Sequence, residues 1–233
     1  MTSGDGGQPE AVQLRADMEL THAVQALLPE RKVVEEVASA DEYLWMALVD
    51  KDRVLAAHRA LLANRCVYLR AAFAFDQDVR FPTYRLAKAI IGRAEQSGLH
   101  RAHVWVETRG QEGNMARLLG VLQSTTPLHR YRLPQAACLR PAQAQSPTDA
   151  DLWVRDGRCL VSHPSFGADG LPGPAVSRVP GTPPAHLLDE IDEIEVALPA
   201  FDINAAFDLR GRGARRMSRV PVMHGIVNLR VGS

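Results

Sequence analysis

The residues of this sequence that most clearly suggest chemistry are arginines near the carboxyl terminus. Glycines separate them and no acidic residue follows Asp208, so the sequence gives them no local counter-charge. Guanidinium groups donate paired hydrogen bonds to phosphate oxygens, and a flexible run of them can follow a nucleic-acid backbone. We expect these side chains to contact a polyanion, with nucleic acid as the first candidate. They are Arg210, Arg212, Arg215, Arg216 and Arg219.

An acidic stretch shortly upstream gives the same arginines a second set of partners. Its carboxylates are those of Asp189, Glu190, Asp192, Glu193 and Glu195. They could neutralise the arginines within the chain or across a homo-oligomer, and the protein would then be a structural subunit of a complex. Three of them could also hold Mg²⁺, although a solvated helix face explains them more simply. The sequence leaves open whether the arginines are free or paired.

Several catalytic and cofactor sites are excluded by spacing. No lysine follows a glycine, so a P-loop is absent, and Gly211-Arg-Gly213 lacks the third glycine of a dinucleotide loop. The three cysteines form no Cys-x-x-Cys pair, which argues against structural zinc. His100 and His103 fall on opposite faces of a predicted strand, so they are poor co-ligands. We therefore predict no cofactor, no metal and no catalytic residue.

An enzymatic alternative nevertheless stays open. A hydrolase or phosphodiesterase of the α/β class could combine a histidine general base with a carboxylate. The candidate histidines are His100, His103 and His163, and the candidate carboxylates are those of Asp149 and Asp151.

Strands and helices alternate in the middle of the chain. The periodicity predicts strands over 66–73, 100–107 and 128–133 and helices over 82–97 and 113–123. Such alternation is typical of right-handed βαβ units. The sequence therefore predicts an α/β fold with a mixed sheet.

The flanking segments are predicted to be mainly helical. A loose helical pattern covers 11–28, a capping box at 39–42 precedes apolar residues 43–48, and another helical pattern covers 52–64. An acidic amphipathic helix is expected from 186, and a strand or hairpin over 220–231.

An Asp-Gly pair carries a family resemblance. Residues 153–162 predict two strands joined by a turn at Asp156-Gly157. With the preceding α/β stretch, residues 50–165 resemble a phospholipase D-like domain, whose motif is His-x-Lys-x4-Asp followed by Gly. Asp149 and Asp151 stand where the nucleophilic His and the phosphate-binding Lys of that motif would be. The resemblance therefore implies a catalytically silent member that serves as a sensory or regulatory module.

Composition is that of an ordinary globular protein. The chain has 233 residues, 46% of them hydrophobic, and zero formal net charge. The first residues lack the pattern of a signal peptide, and no apolar run is long enough to span a membrane, so we expect a cytoplasmic protein without membrane partners. The predicted organisation is a disordered tail (1–9), an α/β domain (10–165), a Pro/Gly-rich linker (166–185) and an acidic helix with a basic segment (186–233). These features together predict a non-enzymatic binding or regulatory protein.

Overall fold

The computed structural model describes residues 8–107, 127–135, 153–162, 183 and 185–230. The chain divides into two compact units, Met1–Val104 with Ile226–Ser233, and Trp105–Gly225. The helices are α1 (Glu19–Leu27), α2 (Val33–Ala38), α3 (Pro82–Gln96) and α4 (Ile203–Gly211). The strands are β1 (Glu10–Gln13), β2 (Tyr43–Asp50), β3 (Arg53–Ala63), β4 (Cys66–Ala74), β5 (Arg101–Glu107), β6 (Leu128–Pro134), β7 (Trp153–Asp156), β8 (Cys159–Ser162), β9 (Glu193–Pro199), β10 (Arg215–Arg216) and β11 (Val222–Asn228).

The sheet of the first unit follows the order β1-β2-β3-β4-β5. Its first three pairings are antiparallel. Tight turns join β2 to β3 and β3 to β4, whereas α1 and α2 lie between β1 and β2. Strands β4 and β5 are parallel, and α3 forms the crossover between them. Helices α1 and α2 pack on the sheet through Val24, Val33 and Val37, which share a core cluster with Trp45 and Ala57.

The second unit contains strands in the order β11-β6-β9-β8-β7, with β10 also beside β6. Strands β8 and β9 are parallel, whereas the other registered pairs are antiparallel. Helix α4 buries Leu209 in a core cluster with Tyr131 and Leu133 of β6 and Ile194 of β9. This packing fixes the last turn of α4 over one face of the β6–β9 pair.

The α/β fold with a mixed sheet is confirmed. Strand β4, helix α3 and strand β5 match the predicted βαβ unit within a few residues, and β6 and β11 also lie where strands were predicted. The β7–β8 hairpin is also present, but its turn residues are Gly157-Arg158, one position after the predicted Asp156-Gly157, and Gly157 is in the left-handed conformation (φ 58°).

Three predicted helices are wrong. Residues 43–48 and 52–64 form β2 and β3, because their continuous apolar runs belong to strands buried on both faces. The predicted capping residue Ser39 instead ends α2, where its hydroxyl donates to the Glu35 carbonyl (3.5 Å). The acidic segment from 186 forms a 3₁₀ turn (Ala185–Leu187) and β9, in which carboxylates alternate with buried apolar residues.

The predicted helix over 11–28 is only partly present, since β1 occupies its first residues and α1 its last. The predicted helix at 113–123, residues 1–7 and almost all of the linker lie outside the described residues. Asp149, Asp151 and His163 lie outside them too.

Candidate functional site

Strands β4 and β5 pair over only part of their length. Their register runs from Cys66–Arg101 to Leu69–Val104, whereas β4 continues to Ala74. On its other side β4 stays paired with β3 as far as Ala56–Ala74. Alternate backbone N–H and C=O groups of residues 71–74 therefore point away from β3, at an edge of β4 that lies beyond the β5 register. An extended ligand with amide groups could pair with that edge.

A β-bulge marks the same point of β4. The β3–β4 register passes from Ala60–Leu69 to Arg59–Ala71, so Arg70 is the extra residue. Bulges bend a strand and increase its local twist. The bend coincides with the end of the β4–β5 pairing.

Helix α3 begins shortly after β4 and presents its amino-terminal end. Phe81 is the N-cap, in the left-handed conformation (φ 53°), and Pro82 occupies the first turn. Helix geometry leaves the first-turn N–H groups of Thr83 and Tyr84 without partners inside the helix. Those groups and the positive end of the helix dipole favour an anion, and the neighbouring Arg80 adds a full positive charge.

Of the two acidic residues shortly before this helix, Asp76 and Asp78, the first is already neutralised. Arg53 pairs with Asp76 (Nη2–Oδ2 2.9 Å), and Asp76 also accepts the backbone N–H of Asp78 (2.9 Å). Arg85 donates to the Pro9 carbonyl (2.6 Å) and so ties the first residues before β1 to α3. Asp76 therefore opposes an anion at the helix end less than an unpaired carboxylate would.

A buried ion pair supports the strand next to the bulge. The Arg59 guanidinium donates to both carboxylate oxygens of Glu36 in α2 (2.6 and 2.9 Å), and the Trp45 indole donates to the same carboxylate (2.8 Å). Arg59 also lies over the Tyr43 ring, 4.8 Å from its centre. With three donors on its carboxylate, Glu36 positions α2 and β3 and is poorly suited to act as a general base.

Two histidines in the first unit are buried and uncharged near neutral pH. Burial lowers the pKa of His58 to about 4, and burial followed by the nearby Arg101 charge lowers the pKa of His103 to about 4. His58 lies opposite Ala72 in the β3–β4 register, and His103 stacks on Tyr68 with 4.5 Å between ring centres. His58 was not among the predicted site residues, because its burial has no signature in the sequence.

The five predicted arginines occupy the end of α4, strand β10 and the turn that follows. Arg212 pairs with Asp208 (2.8 Å) and Arg215 with Glu193 (3.1 Å). Arg216 donates to the backbone carbonyls of Ser218 (2.7 Å) and Arg219. Arg210 and Arg219 are exposed. The structure thus engages part of the cluster internally, and binding of an anion by these residues stays a prediction.

The acidic stretch is likewise engaged in ion pairs. Glu195 is buried and binds Arg130 and Arg132 of the adjacent strand, and Asp192 pairs with Arg158 (2.8 Å). Within the described ranges, no group of three or more His, Cys, Asp or Glu side chains could hold a metal ion. In the same ranges, no helix is long and apolar enough to cross a membrane.

No family model and no curated protein matches this sequence. Two solved structures do resemble the fold. A tandem GNAT protein from the clavulanic acid biosynthesis pathway, solved without acetyl-CoA, has a TM-score of 0.50 at 11% identity over 97% of this chain and 99% of its own. A proposed acetyltransferase from Pyrococcus horikoshii has a TM-score of 0.50 at 8% identity over 97% and 91% of the two chains.

These likenesses correct two predictions. The phospholipase D-like interpretation is wrong, because the fold is that of GNAT proteins, and Asp156 is the last residue of β7 in a hairpin whose turn is Gly157-Arg158. The interpretation as a non-enzymatic regulatory protein that binds nucleic acid is also wrong, since the neighbours in fold are acetyltransferases, and the hydrolase and structural-subunit alternatives fit no better. The chain has a GNAT fold.

Proposed function

We propose that this protein is an acyltransferase that takes its acyl group from acetyl-CoA or a related thioester. The observation that carries the proposal is the end of the β4–β5 pairing at Leu69–Val104, followed along the chain by the amino-terminal end of α3. The GNAT fold supports it. We take an amine as the acceptor class to be tested first, and the cytoplasm is the compartment we expect.

The residues present suit the two polar parts of such a donor. The pantetheine arm is extended and carries two amides, which match the edge of β4 at residues 71–74. The diphosphate suits the N–H groups of Thr83 and Tyr84, with Arg80 beside them. Pro82 supplies no N–H, so this end of α3 offers fewer donors than a loop rich in glycine would.

When bound, acetyl-CoA would supply an activated acyl carbonyl as its thioester. The role of the chain's own residues would be to bind this donor and to orient it. The β4 edge would align the pantetheine arm, and the amino-terminal end of α3 would bind the negatively charged diphosphate. The Glu36–Arg59 ion pair would keep β3 and the bulge in position. His58 is neutral near pH 7 and buried, so it contributes packing and hydrogen bonding and carries no charge into the site.

A matched pair of charge reversals tests the donor site. Arg80→Glu places a carboxylate beside the α3 end and should weaken acetyl-CoA binding by about tenfold or more, whereas Lys88→Glu, the same type of change further along α3, should alter it by less than about twofold. Titration calorimetry with acetyl-CoA measures both. Absence of binding by the unmodified protein, or equal loss in both variants, would overturn the proposal.

A second experiment tests the reaction. The protein is incubated with acetyl-CoA and a panel of primary amines, and the release of free thiol is followed together with the mass of each amine. Thiol release that depends on an amine, with an acetylated product, supports acyl transfer. If the protein binds acetyl-CoA but acetylates no amine in the panel, the amine acceptor class is wrong.

A further inference from the structure

A second group of cationic and protonatable side chains lies in the second unit, apart from the proposed donor site. His129 of β6 is half-buried, and its Nδ1 atom is buried with no hydrogen-bond partner among the described residues. A buried ring nitrogen without a partner has lost its hydration and gained nothing in return. The described residues therefore leave one hydrogen-bonding group of His129 unsatisfied.

Arg216 reaches the same face of the sheet. It lies opposite Tyr131 in the β10–β6 register, and Tyr131 and His129, two residues apart on one strand, point to the same face. The Arg216 Nε donates to the Ser218 carbonyl (2.7 Å) and Nη2 donates to the Arg219 carbonyl. These bonds hold the guanidinium in one orientation.

Arg210 approaches from the helix that packs on this face. Its neighbour Leu209 is buried against Tyr131 and Leu133, which anchors the last turn of α4 above β6. After burial, the charges of Arg216 and Arg210 are the largest causes that lower the pKa of His129. The register places Arg216 on the face of β6 that carries His129, and the last turn of α4, which includes Arg210, packs on that face.

The carboxylates that could balance these charges are occupied. Asp208 pairs with Arg212 (2.8 Å), and Glu193 pairs with Arg215 (3.1 Å) and Arg132 (3.4 Å). In the described part of the second unit, no ion pair is found for Arg210 or Arg216. The corner formed by β6, β10 and the end of α4 is thus left with an excess of positive charge.

We propose that His129, Arg210 and Arg216 form a binding site for a small oxyanion, the phosphate or carboxylate group of a low-molecular-weight ligand. The two guanidinium groups would donate to its oxygens, and the half-buried His129 ring would lie beside the bound anion. The site is independent of the proposed acyl transfer, because its residues belong to other elements.

The test uses the His129 ring as its own reporter. The ring proton signals are assigned with His129→Gln, and the whole protein is titrated with inorganic phosphate, and separately with acetate, at constant ionic strength. A saturable change in the His129 signal, with the pKa of His129 moving upward as the anion binds, is the expected result. The tighter of the two anions identifies the ligand class.

Substitutions separate a site from a general charge effect. Arg210→Gln and Arg216→Gln should each weaken binding by about tenfold, since each removes a charge-assisted hydrogen bond. Arg212→Gln removes the same charge from an arginine already paired with Asp208 and should leave binding within about twofold. A linear, non-saturable response, or equal losses in all three variants, would overturn the proposal.

Discussion

At the scale of single residues, His58 shows how burial alone sets the charge of a side chain. Its ring is buried in the first unit. The only hydrogen bond found for this ring among the described residues joins Nδ1 and the Arg59 carbonyl oxygen (3.1 Å). Protonation would place a charge in an apolar environment, and the pKa therefore falls from 6.5 to about 4. The folded protein keeps this histidine neutral over a range in which the unfolded chain protonates it.

This difference predicts a loss of stability in mild acid. Between pH 6.5 and about 4 the unfolded state binds the proton and the folded state does not, so the free energy of unfolding should fall as the pH falls. The shift corresponds to about 3 kcal/mol for His58. Urea unfolding at several pH values measures it.

The control for this experiment is an exposed histidine. His58→Gln should reduce the slope of the pH dependence and leave the part that is due to His103, which is also buried, whereas His22→Gln should leave the slope unchanged. Parallel slopes in the wild type and His58→Gln would contradict the assignment.

Residue types alone identified only part of the chemistry. The arginines near the carboxyl terminus stood out because their charge is visible in the sequence, and two of them, Arg210 and Arg216, belong to the anion site proposed above. His129 did not stand out, because the property that matters is a buried nitrogen, which depends on how β6 and α4 pack. Asp156-Gly157 indicated a turn, and the turn lies one residue later, at Gly157-Arg158.

At the scale of elements, one ion pair joins α2 to the sheet. The Arg59 side chain is 8% exposed and that of Glu36 is 19% exposed. Removing one partner of such a pair leaves the other charge desolvated and uncompensated. The pair therefore specifies where α2 lies on β2 and β3.

Two neighbouring glutamates of α2 give a matched comparison. Glu36→Ala should lower the free energy of unfolding by about 3 kcal/mol, because Arg59 and the Trp45 indole both lose their acceptor. Glu35→Ala removes a solvent-exposed pair with Lys32 and should cost less than about 1 kcal/mol. Urea unfolding of both variants measures the difference. Equal losses in the free energy of unfolding would show that the buried pair stabilises the fold no more than the exposed pair does.

The same region explains why sequence periodicity failed for some elements and succeeded for others. Helix α3 has one apolar stripe, with Pro82 near its start and Gly98 (φ 71°) after its end. The sequence therefore predicts where this helix begins and ends. Strands β2 and β3 are buried on both faces, and an apolar run without a polar face looks the same in a strand as in a helix. Neither the end of the β4–β5 pairing nor the bulge at Arg70 has a local signal, since both depend on neighbouring strands.

At the scale of the whole molecule, large apolar side chains at the start of α4 are unusually exposed. Phe201, Ile203 and Phe207 are 65–69% exposed. The opposite side of α4 is buried through Leu209. Exposed apolar groups this close together reduce solubility without adding stability.

A polar replacement should therefore improve behaviour in solution. Phe207→Ser should change the free energy of unfolding by less than about 1 kcal/mol and raise the concentration at which the protein stays monodisperse. Leu209→Ala, two residues away, should cost about 2–5 kcal/mol because it opens a cavity. Light scattering and thermal unfolding measure the two effects, and a large loss of stability in Phe207→Ser would show that its ring is packed.

During translation, β6 is synthesised well before the strands that pair with it. Its hydrogen-bonding neighbours, β9 on one side and β10 and β11 on the other, are all translated much later. Until they emerge, β6 has two unpaired edges, and unpaired strand edges favour aggregation or the recruitment of a chaperone. We expect nascent chains truncated before residue 193 to bind a chaperone, and full-length chains to dissociate from it.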